Sequence, residues 1–254
     1  MIPAMTNPFT PGVGSVLSAD VAVPEHGREV RFYTQVLGTG ATPLWRDDLM
    51  NNLGLPIIGL GPRTEVHAEL PLQWMPHVQV TDVAASAARA VALGGRVLMS
   101  DPLHAWAVLA DPDGAAFGII PVVPGDAVPT VDATGHVVGC LAGITLIAPD
   151  PSRSGDFYRQ VVGWSMAEPT SVDAAVREML AEAGHVAARI ARAGNGHAGL
   201  PTVWLIHLPV GDLDESLRRV GAEGGVVLGD LASGAARAVV VRDPVGAVFA
   251  LTTA

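Results

Sequence analysis

Histidine is the residue type on which most of the chemistry available to this sequence depends. The phrase Trp-x-x-His occurs twice, ending at His77 and at His207, and an aspartate follows each histidine five residues later. All fifteen basic side chains are arginine, so a lysine Schiff base is excluded. The chain has two tyrosines and one cysteine. Histidines and carboxylates are therefore the groups available for proton transfer near neutral pH.

Charge and hydropathy restrict the partners of this 254-residue chain. Its formal charge of −10 argues against nucleic acid and against anionic membrane surfaces, which both require basic patches. No apolar run approaches the roughly 18 residues that span a bilayer. The first ten residues lack the features of a secretory signal, and a single cysteine cannot form an internal disulfide. We therefore expect a cytoplasmic protein that binds a small molecule and not a membrane.

Several phrases recur in the same order, which indicates a duplicated sequence. Besides Trp-x-x-His, they are FYTQVLG and FYRQVVG, ALGGRVL and AEGGVVL, and DPDGAAFGI and DPVGAVFAL. The stretch between the copies contains Pro and Gly, as linkers do. The sequence thus predicts an N-terminal tail at residues 1–13, a first module at 14–122, a linker at 123–137 and a second module at 138–254.

Hydrophobic periodicity predicts the elements that position the histidines. In the first module, alternation predicts strands at SVLSADVAV, TEVHAEL and MPHVQV. Helical spacing predicts helices at HGREVRFYTQVLG and at DVAASAARAVALGG, the second capped by Asp82. HAWAVLAD and AAFGIIPV predict a final hairpin around a DPDG turn. The second module repeats this order, so the expected class is α+β.

The Phe-Tyr pairs, the Gly-Gly helix ends and the Asp-Pro-x-Gly-Ala-x-Phe turns together carry a family resemblance. The chain resembles the vicinal oxygen chelate superfamily, which includes glyoxalase I, bleomycin-resistance proteins, fosfomycin-resistance enzymes and extradiol dioxygenases. More narrowly, it is similar to the two-module glyoxalase-like proteins of actinobacteria. The resemblance implies tandem βαβββ modules whose curved sheets form a central cavity. It does not fix the function, because one fold supports many chemistries.

The resemblance also implies where a metal would be held, on three strands of each module. The corresponding positions of this chain are Ser18, Met75 and Gly118, and Gly143, Leu205 and Ala250. None of these side chains is a usual metal ligand. We therefore expect no metal and no cofactor, and expect these residues to line a substrate pocket instead.

Strand alternation assigns side chains to the cavity or to the helices. His77 and His207 stand two residues beyond Met75 and Leu205, so they are expected to face the cavity, while Trp74 and Trp204 face the helices. The same argument assigns Glu65 to the cavity row of the TEVHAEL strand. The predicted catalytic residues are His77, Asp20, His207 and His104. The predicted substrate-binding residues are Ser18, Trp45, His67, Glu69, Met75, Gln79, Trp106, Gly118, Gly143, Leu205 and Ala250.

Three functions fit these assignments. The first is a metal-independent enzyme of isomerase, cyclase or lyase type, acting by acid–base chemistry on a largely apolar organic substrate of secondary metabolism. The second is a drug-sequestering protein similar to the bleomycin-resistance branch, and hence an antibiotic-resistance protein. The third is a metalloenzyme of glyoxalase or dioxygenase type with a relocated site, in which His77 joins His67, Asp20 or Glu69. A homodimer is compatible with all three.

Overall fold

The computed structural model describes residues 10–43, 45, 58–127, 141–167, 176–194, 199–231 and 237–254. Most of the predicted tail and linker lies outside these ranges. Within them the chain forms four α-helices and fourteen strands, arranged in a six-stranded and an eight-stranded sheet. None of the helices in this part of the chain is long and apolar enough to cross a membrane.

The first half of the chain builds the six-stranded sheet, in the order β2-β1-β3-β6-β5-β4. Its elements are β1 (Val16–Val23), α1 (His26–Leu37), β2 (Ile58–Pro62), a 3₁₀ helix (Glu65–His67), β3 (Met75–Val80), α2 (Val83–Ala92), β4 (Arg96–Asp101), β5 (Trp106–Ala110), β6 (Ala116–Pro121) and a second 3₁₀ helix (Gly125–Ala127).

The second half builds the eight-stranded sheet, in the order β12-β13-β14-β11-β7-β10-β9-β8. Its elements are β7 (Gly143–Ala148), α3 (Pro151–Val162), β8 (Ser165–Met166), β9 (Val176–Leu180), β10 (Val186–Arg192), β11 (Val203–Val210), α4 (Leu213–Ala222), β12 (Val226–Leu231), β13 (Ala238–Arg242) and β14 (Val248–Thr253). This half holds two successive βαβββ units, one around each helix. The α+β class predicted from the sequence is confirmed.

Local sequence signals explain where most of these elements begin and end. The side chain of Asp82 accepts a hydrogen bond from the backbone N–H of Ala85 and so caps α2, while Asp212 caps α4 in the same way through Glu215. Gly163 ends α3 in the left-handed conformation that favours glycine, with φ at 79°. The predicted first strand, both helices of the first half, strand β3 and the final hairpin are confirmed.

The predicted strand TEVHAEL is wrong. Residues Glu65–His67 form a 3₁₀ helix, in which the side chain of Thr64 and the ring of His67 cap the backbone reciprocally. Val66, which alternation assigned to the helix side, is 71% exposed. A local capping interaction therefore prevailed over a short alternating pattern. As a consequence, Glu65, His67 and Glu69 do not share a strand face with His77.

The two halves pack through one common core. Helix α1 contacts α4 and α2 contacts α3, so the helices of both halves lie between the two sheets. The hydroxyl of Tyr33 donates to Asp243 Oδ2 at 3.0 Å, and that of Tyr158 donates to Asp111 Oδ2 at 3.1 Å. Each bond joins a helix of one half to a turn of the other. The duplicated phrases thus occupy corresponding places and stabilise each other across the repeat.

Each sheet has a second face, turned away from the helices, which we call its outer face. The outer face of the first sheet carries a cluster of Leu70, Met75, Val108 and Ala116. That of the second carries a separate cluster, which includes Ile147, Leu205, Val240 and Ala250. The cavity that the fold implies corresponds to these outer faces, one in each half.

Candidate functional site

Strand β3 carries the first Trp-x-x-His phrase and divides it between the two sides of the sheet. Trp74 is buried in the common core and donates its indole N–H to the hydroxyl of Tyr33 at 2.9 Å. Met75 belongs to the outer-face cluster, and His77 is two residues further along the same row. The predicted orientation of Trp74 is therefore confirmed, as is that of Trp204, which donates to Tyr158 at 3.1 Å.

The ring of His77 lies between two polar side chains of the neighbouring strand. His77 pairs with Ser18 across β1 and β3, and its Nδ1 lies 3.1 Å from Ser18 Oγ. Its Nε2 lies 3.4 Å from Asp20 Oδ2. Ser18 and Asp20 are separated by two residues on one strand, so they present their side chains on the same face. The three side chains form one continuous polar cluster.

Exposure divides the roles within this cluster. Ser18 is buried, whereas the side chains of His77 and Asp20 are 16% and 30% exposed. A hydroxyl can donate to an unprotonated Nδ1 or accept from Nδ1–H, so Ser18 can orient the ring in either protonation state. Asp20 Oδ1 is buried without a hydrogen-bond partner among the described residues. That oxygen is therefore an unsatisfied acceptor beside the ring of His77.

Gly118 provides the space that the ring of His77 occupies. The two residues pair across β3 and β6, and a Cβ built at position 118 would lie 2.2 Å from His77 Cδ2. No side chain of any kind fits there while His77 keeps its position. Position 118 therefore cannot carry a metal-ligand side chain while the ring of His77 lies in this place.

The second histidine of the repeat lies in a different environment. His207 Nε2 lies 3.0 Å from Thr145 Oγ1, and the side chain is almost completely buried. Burial, with a smaller contribution from the positive charge of Arg189, lowers the pKa of His207 to about 4. Thr145 and Gly143 stand where the first half has Asp20 and Ser18. His207 therefore stays neutral near pH 7, and no carboxylate of the described residues pairs with it.

Two further predicted binding residues, Gln79 and Trp45, are buried and take no part in the His77 cluster. Gln79 is buried, its amide nitrogen donates to the carbonyl of Thr10, and its amide oxygen accepts from the backbone N–H of Val123. It holds the start of the described chain against the segment after β6. Trp45 is buried in the common core, and its indole N–H has no partner among the described residues. Neither residue belongs to the His77 cluster.

The structure separates His104 and Trp106, which the sequence placed on one strand. His104 lies in the exposed turn between β4 and β5, where its Nδ1 is 2.6 Å from Asp101 Oδ2. Trp106 begins β5 and is half-buried against the outer-face cluster.

His67 and Glu69 lie outside this face, as described above. Met75 lies in the cluster beside the predicted site, while Leu205 and Ala250 lie in the corresponding cluster of the second half, and Gly143 pairs with His207.

Sequence reasoning missed part of the apolar wall of this face. Leu98 and Met99 of β4 pack against the cluster around Val108. Strand β4 contains a bulge between Val97 and Met99, which breaks the alternation that would have revealed it. The apolar run after Gly94-Gly95, repeated in the second half, was the available signal.

The donor set of the described residues does not fit the metal that the superfamily implies. No group of three or more His, Cys, Asp or Glu side chains in the described ranges is placed to hold a metal ion. At the three expected strand positions of the first half stand a buried hydroxyl, a thioether and a glycine, namely Ser18, Met75 and Gly118. His77 and Asp20 provide two donors, one fewer than the smallest common transition-metal site.

Two curved sheets built from duplicated β-α-β units around shared helices define the vicinal oxygen chelate fold. The chain belongs to the glyoxalase-like domain family, whose model matches residues 17–120 and 143–252. The match covers both halves and therefore supports the duplication seen in the sequence.

Known proteins similar to this chain carry names that indicate different functions. The "Anthracycline biosynthesis protein DnrV" of Streptomyces peucetius is 29% identical over 127 residues, covering 44% of this chain and 46% of that relative. The chain thus matches about half the length of this relative. A Mn(II)-bound glyoxalase from Novosphingobium aromaticivorans has a TM-score of 0.57 at 17% identity, over 96% of this chain and 83% of that one.

A second solved structure extends the likeness to a dioxygenase. The 2,2',3-trihydroxybiphenyl 1,2-dioxygenase of Sphingomonas wittichii strain RW1 has a TM-score of 0.55 at 16% identity, over 96% of this chain and 90% of that one. At such low identity these structures establish the fold and not the reaction.

Proposed function

We propose that the protein is a metal-independent acid–base enzyme of isomerase, cyclase or lyase type. The observation that carries the proposal is the His77 cluster, in which one imidazole contacts a buried hydroxyl on Nδ1 and a half-exposed carboxylate on Nε2. This arrangement resembles the orienting contacts that general acid–base histidines require. It lies on the partly exposed outer face, beside an apolar wall.

In the proposed reaction, His77 accepts a proton from a carbon or oxygen of the substrate and returns it at another position. Nε2 is the nitrogen that receives the proton, because Nδ1–H donates to the buried hydroxyl of Ser18, and the negative charge of Asp20 3.4 Å from Nε2 stabilises the imidazolium. No electrons are exchanged, and the proton is returned, so isomerisation and cyclisation balance without a further reactant. Within the described part of the chain His207 has no carboxylate partner, so we assign the chemistry to the first half.

We further propose that the substrate is a largely apolar ring compound of the aromatic polyketide class. The supporting observations are the apolar side chains beside His77, with Met99 and Trp106 half-buried among them, and the relative named for anthracycline biosynthesis. Rings of this class carry carbonyl and phenol groups, whose neighbouring C–H and O–H protons are acidic enough for transfer to an imidazole.

The test measures proton exchange catalysed by EDTA-treated protein. Anthracycline aglycones and simpler carbonyl-containing aromatic polyketides are incubated in D₂O, and NMR follows deuterium incorporation and rearrangement. We expect exchange or turnover that falls roughly 100-fold or more in His77→Gln, whereas the matched variant His67→Gln, on the 3₁₀ helix, is unaffected.

Three results would contradict the proposal. Undiminished exchange in His77→Gln would exclude the assigned base. Activity that disappears with EDTA and returns with Mn(II), Fe(II) or Zn(II) would favour the relocated metal site. Tight binding of the same compounds without exchange or turnover would identify a drug-sequestering protein instead.

A further inference from the structure

A cleft on the helix side of the first sheet is not part of the His77 site. It lies between the first turns of α2 and the hairpin of β4 and β5, with Trp106 at one side, and has a volume of about 480 Å³. Its inner surface is formed mainly by small apolar side chains such as Val83, Ala87 and Ala107. Small-molecule sites typically have volumes of roughly 300–1,000 Å³, so the cleft is large enough for a ligand of a few rings.

The duplicated sequence explains why this space is open. Asp82 and Asp212 cap the corresponding helices α2 and α4, so Ala87 corresponds to Leu217. Strand pairing makes Ala107, opposite Ser100, the counterpart of Val239, opposite Asp230. In the second half these positions hold larger side chains, and Val239 is buried in the common core. In the first half, Ala87 and Ala107 each carry only a methyl group at these positions. The cleft occupies the volume that the side chains of Leu217 and Val239 fill in the second half.

In the second half a positive charge spans the corresponding groove. Arg237 Nη1 lies 2.8 Å from Asp214 Oδ1 on α4, and its Nε lies 3.9 Å from Asp230 Oδ1 on β12. The first half has Ala105 at the position of Arg237, at the start of the corresponding β5 hairpin strand. The molecule therefore contains its own example of a cation seated between this helix and this hairpin.

The mouth of the cleft is acidic. Asp82 uses one carboxylate oxygen to cap α2, and its other oxygen has no partner within the described ranges. Asp101 receives hydrogen bonds from His104, which lower the pKa of its carboxyl group and keep it ionised. No arginine is among the residues that line the cleft. An apolar floor with carboxylates at the rim is complementary to an apolar ligand that carries a positive charge.

We propose that this cleft binds a small ring compound bearing a protonated amine. The rings occupy the space left by Ala87 and Ala107, and the amine lies at the rim near Asp82 and Asp101. In the second half, Arg237 occupies the same side of the hairpin, where Asp214 and Asp230 hold its guanidinium. The site is separate from His77, so it adds a second binding function whether or not the proposed reaction is correct.

The probe is proflavine, a planar tricyclic cation whose fluorescence changes on binding, and the anionic dye anilinonaphthalene sulfonate serves for comparison. We expect saturable binding of proflavine at one site per chain, and weaker binding of the anion. The double variant Ala87→Leu/Ala107→Val inserts the residues of the second half and is expected to weaken proflavine binding at least tenfold. Asp82→Asn retains an oxygen that can cap α2 and is expected to weaken it roughly tenfold, which corresponds to about 1.4 kcal/mol.

Two controls separate this site from the rest of the molecule. Glu25→Gln removes one exposed negative charge at the start of α1, near the opposite edge of the first sheet, and His77→Gln changes the proposed catalytic site; neither is expected to alter proflavine affinity. Asp82→Asn leaves the core unchanged, so it tests the site even if the double variant Ala87→Leu/Ala107→Val does not fold. Each of four results would overturn the proposal. They are the absence of saturable binding, equal affinity in the native protein and in Ala87→Leu/Ala107→Val, preference for the anion, and loss of binding in His77→Gln.

Discussion

Gly118 and His77 occupy facing positions on β6 and β3 at a distance that permits no Cβ between them. An added Cβ would lie 2.2 Å from Cδ2 and 2.9 Å from Nε2 of the imidazole. The superfamily resemblance puts a metal ligand at position 118, and this chain has replaced it with the one residue that allows His77 to reach Ser18 and Asp20.

Gly118→Ala is therefore expected to displace the ring of His77 without unfolding the protein, because the clash falls on a side chain and not on backbone. Turnover should fall at least tenfold, since the contact with Ser18 is lost. The matched variant is Gly143→Ala, whose Cβ would meet His207 Nδ1 at an ordinary 3.8 Å. Steady-state kinetics and melting curves of both variants provide the test, and equal activity in the two would contradict it.

Ser18 is expected to act as a positioning residue. Ser18→Ala removes the partner of His77 Nδ1, and a hydrogen bond of this kind contributes about 0.5–1.5 kcal/mol, so kcat should fall roughly two- to tenfold and its pH profile should shift. The corresponding change in the second half, Thr145→Val, removes the partner of His207 and should lower the melting temperature without affecting kcat. If kcat falls in Thr145→Val and not in Ser18→Ala, the catalytic site lies in the second half and the assignment to the first half is wrong.

Glu29 makes stability depend on pH. It is completely buried in α1, and burial together with the nearby charge of Asp243 raises its pKa from 4.5 to about 8. The folded state therefore holds a proton that the unfolded state releases, and stability is lost as pH rises from about 4.5 to 8. The melting temperature of Glu29→Gln should decline less over that range. Glu25→Gln, an exposed neighbour, serves as the control and should retain the native slope.

The two Trp residues of the repeat are expected to stabilise one shared core. Trp74→Ala and Trp204→Ala should each cost about 3–5 kcal/mol of unfolding free energy. Because Tyr33 and Tyr158 bond to aspartates of the opposite half, both variants should lower the midpoint of a single denaturant transition. Two separate transitions, each sensitive to one Trp, would show that the halves unfold independently.

Much of the fold follows from short-range patterns. The alternation around Ser18 and His77 predicted strands β1 and β3, the capping Asp82 predicted α2, and the repeated phrases predicted the duplication. These elements are formed by contacts within a few residues, and sequence reports such contacts directly. The short alternating stretch TEVHAEL failed because a local cap competed with the pattern. The cytoplasmic location and the homodimer stay predictions.

The sequence by itself determined the family, most of the elements and the placement of His77 and Asp20 on one sheet face, because strand alternation fixes which side chains point together. Only the tertiary structure decided that His77 has a carboxylate partner while His207 is buried and neutral, and that Gly118 leaves room for the first ring. The same is true of the cleft beside α2, whose volume depends on side chains distant in sequence. Burial, distance and empty volume arise from packing between strands and helices far apart in the chain, and no local pattern encodes them.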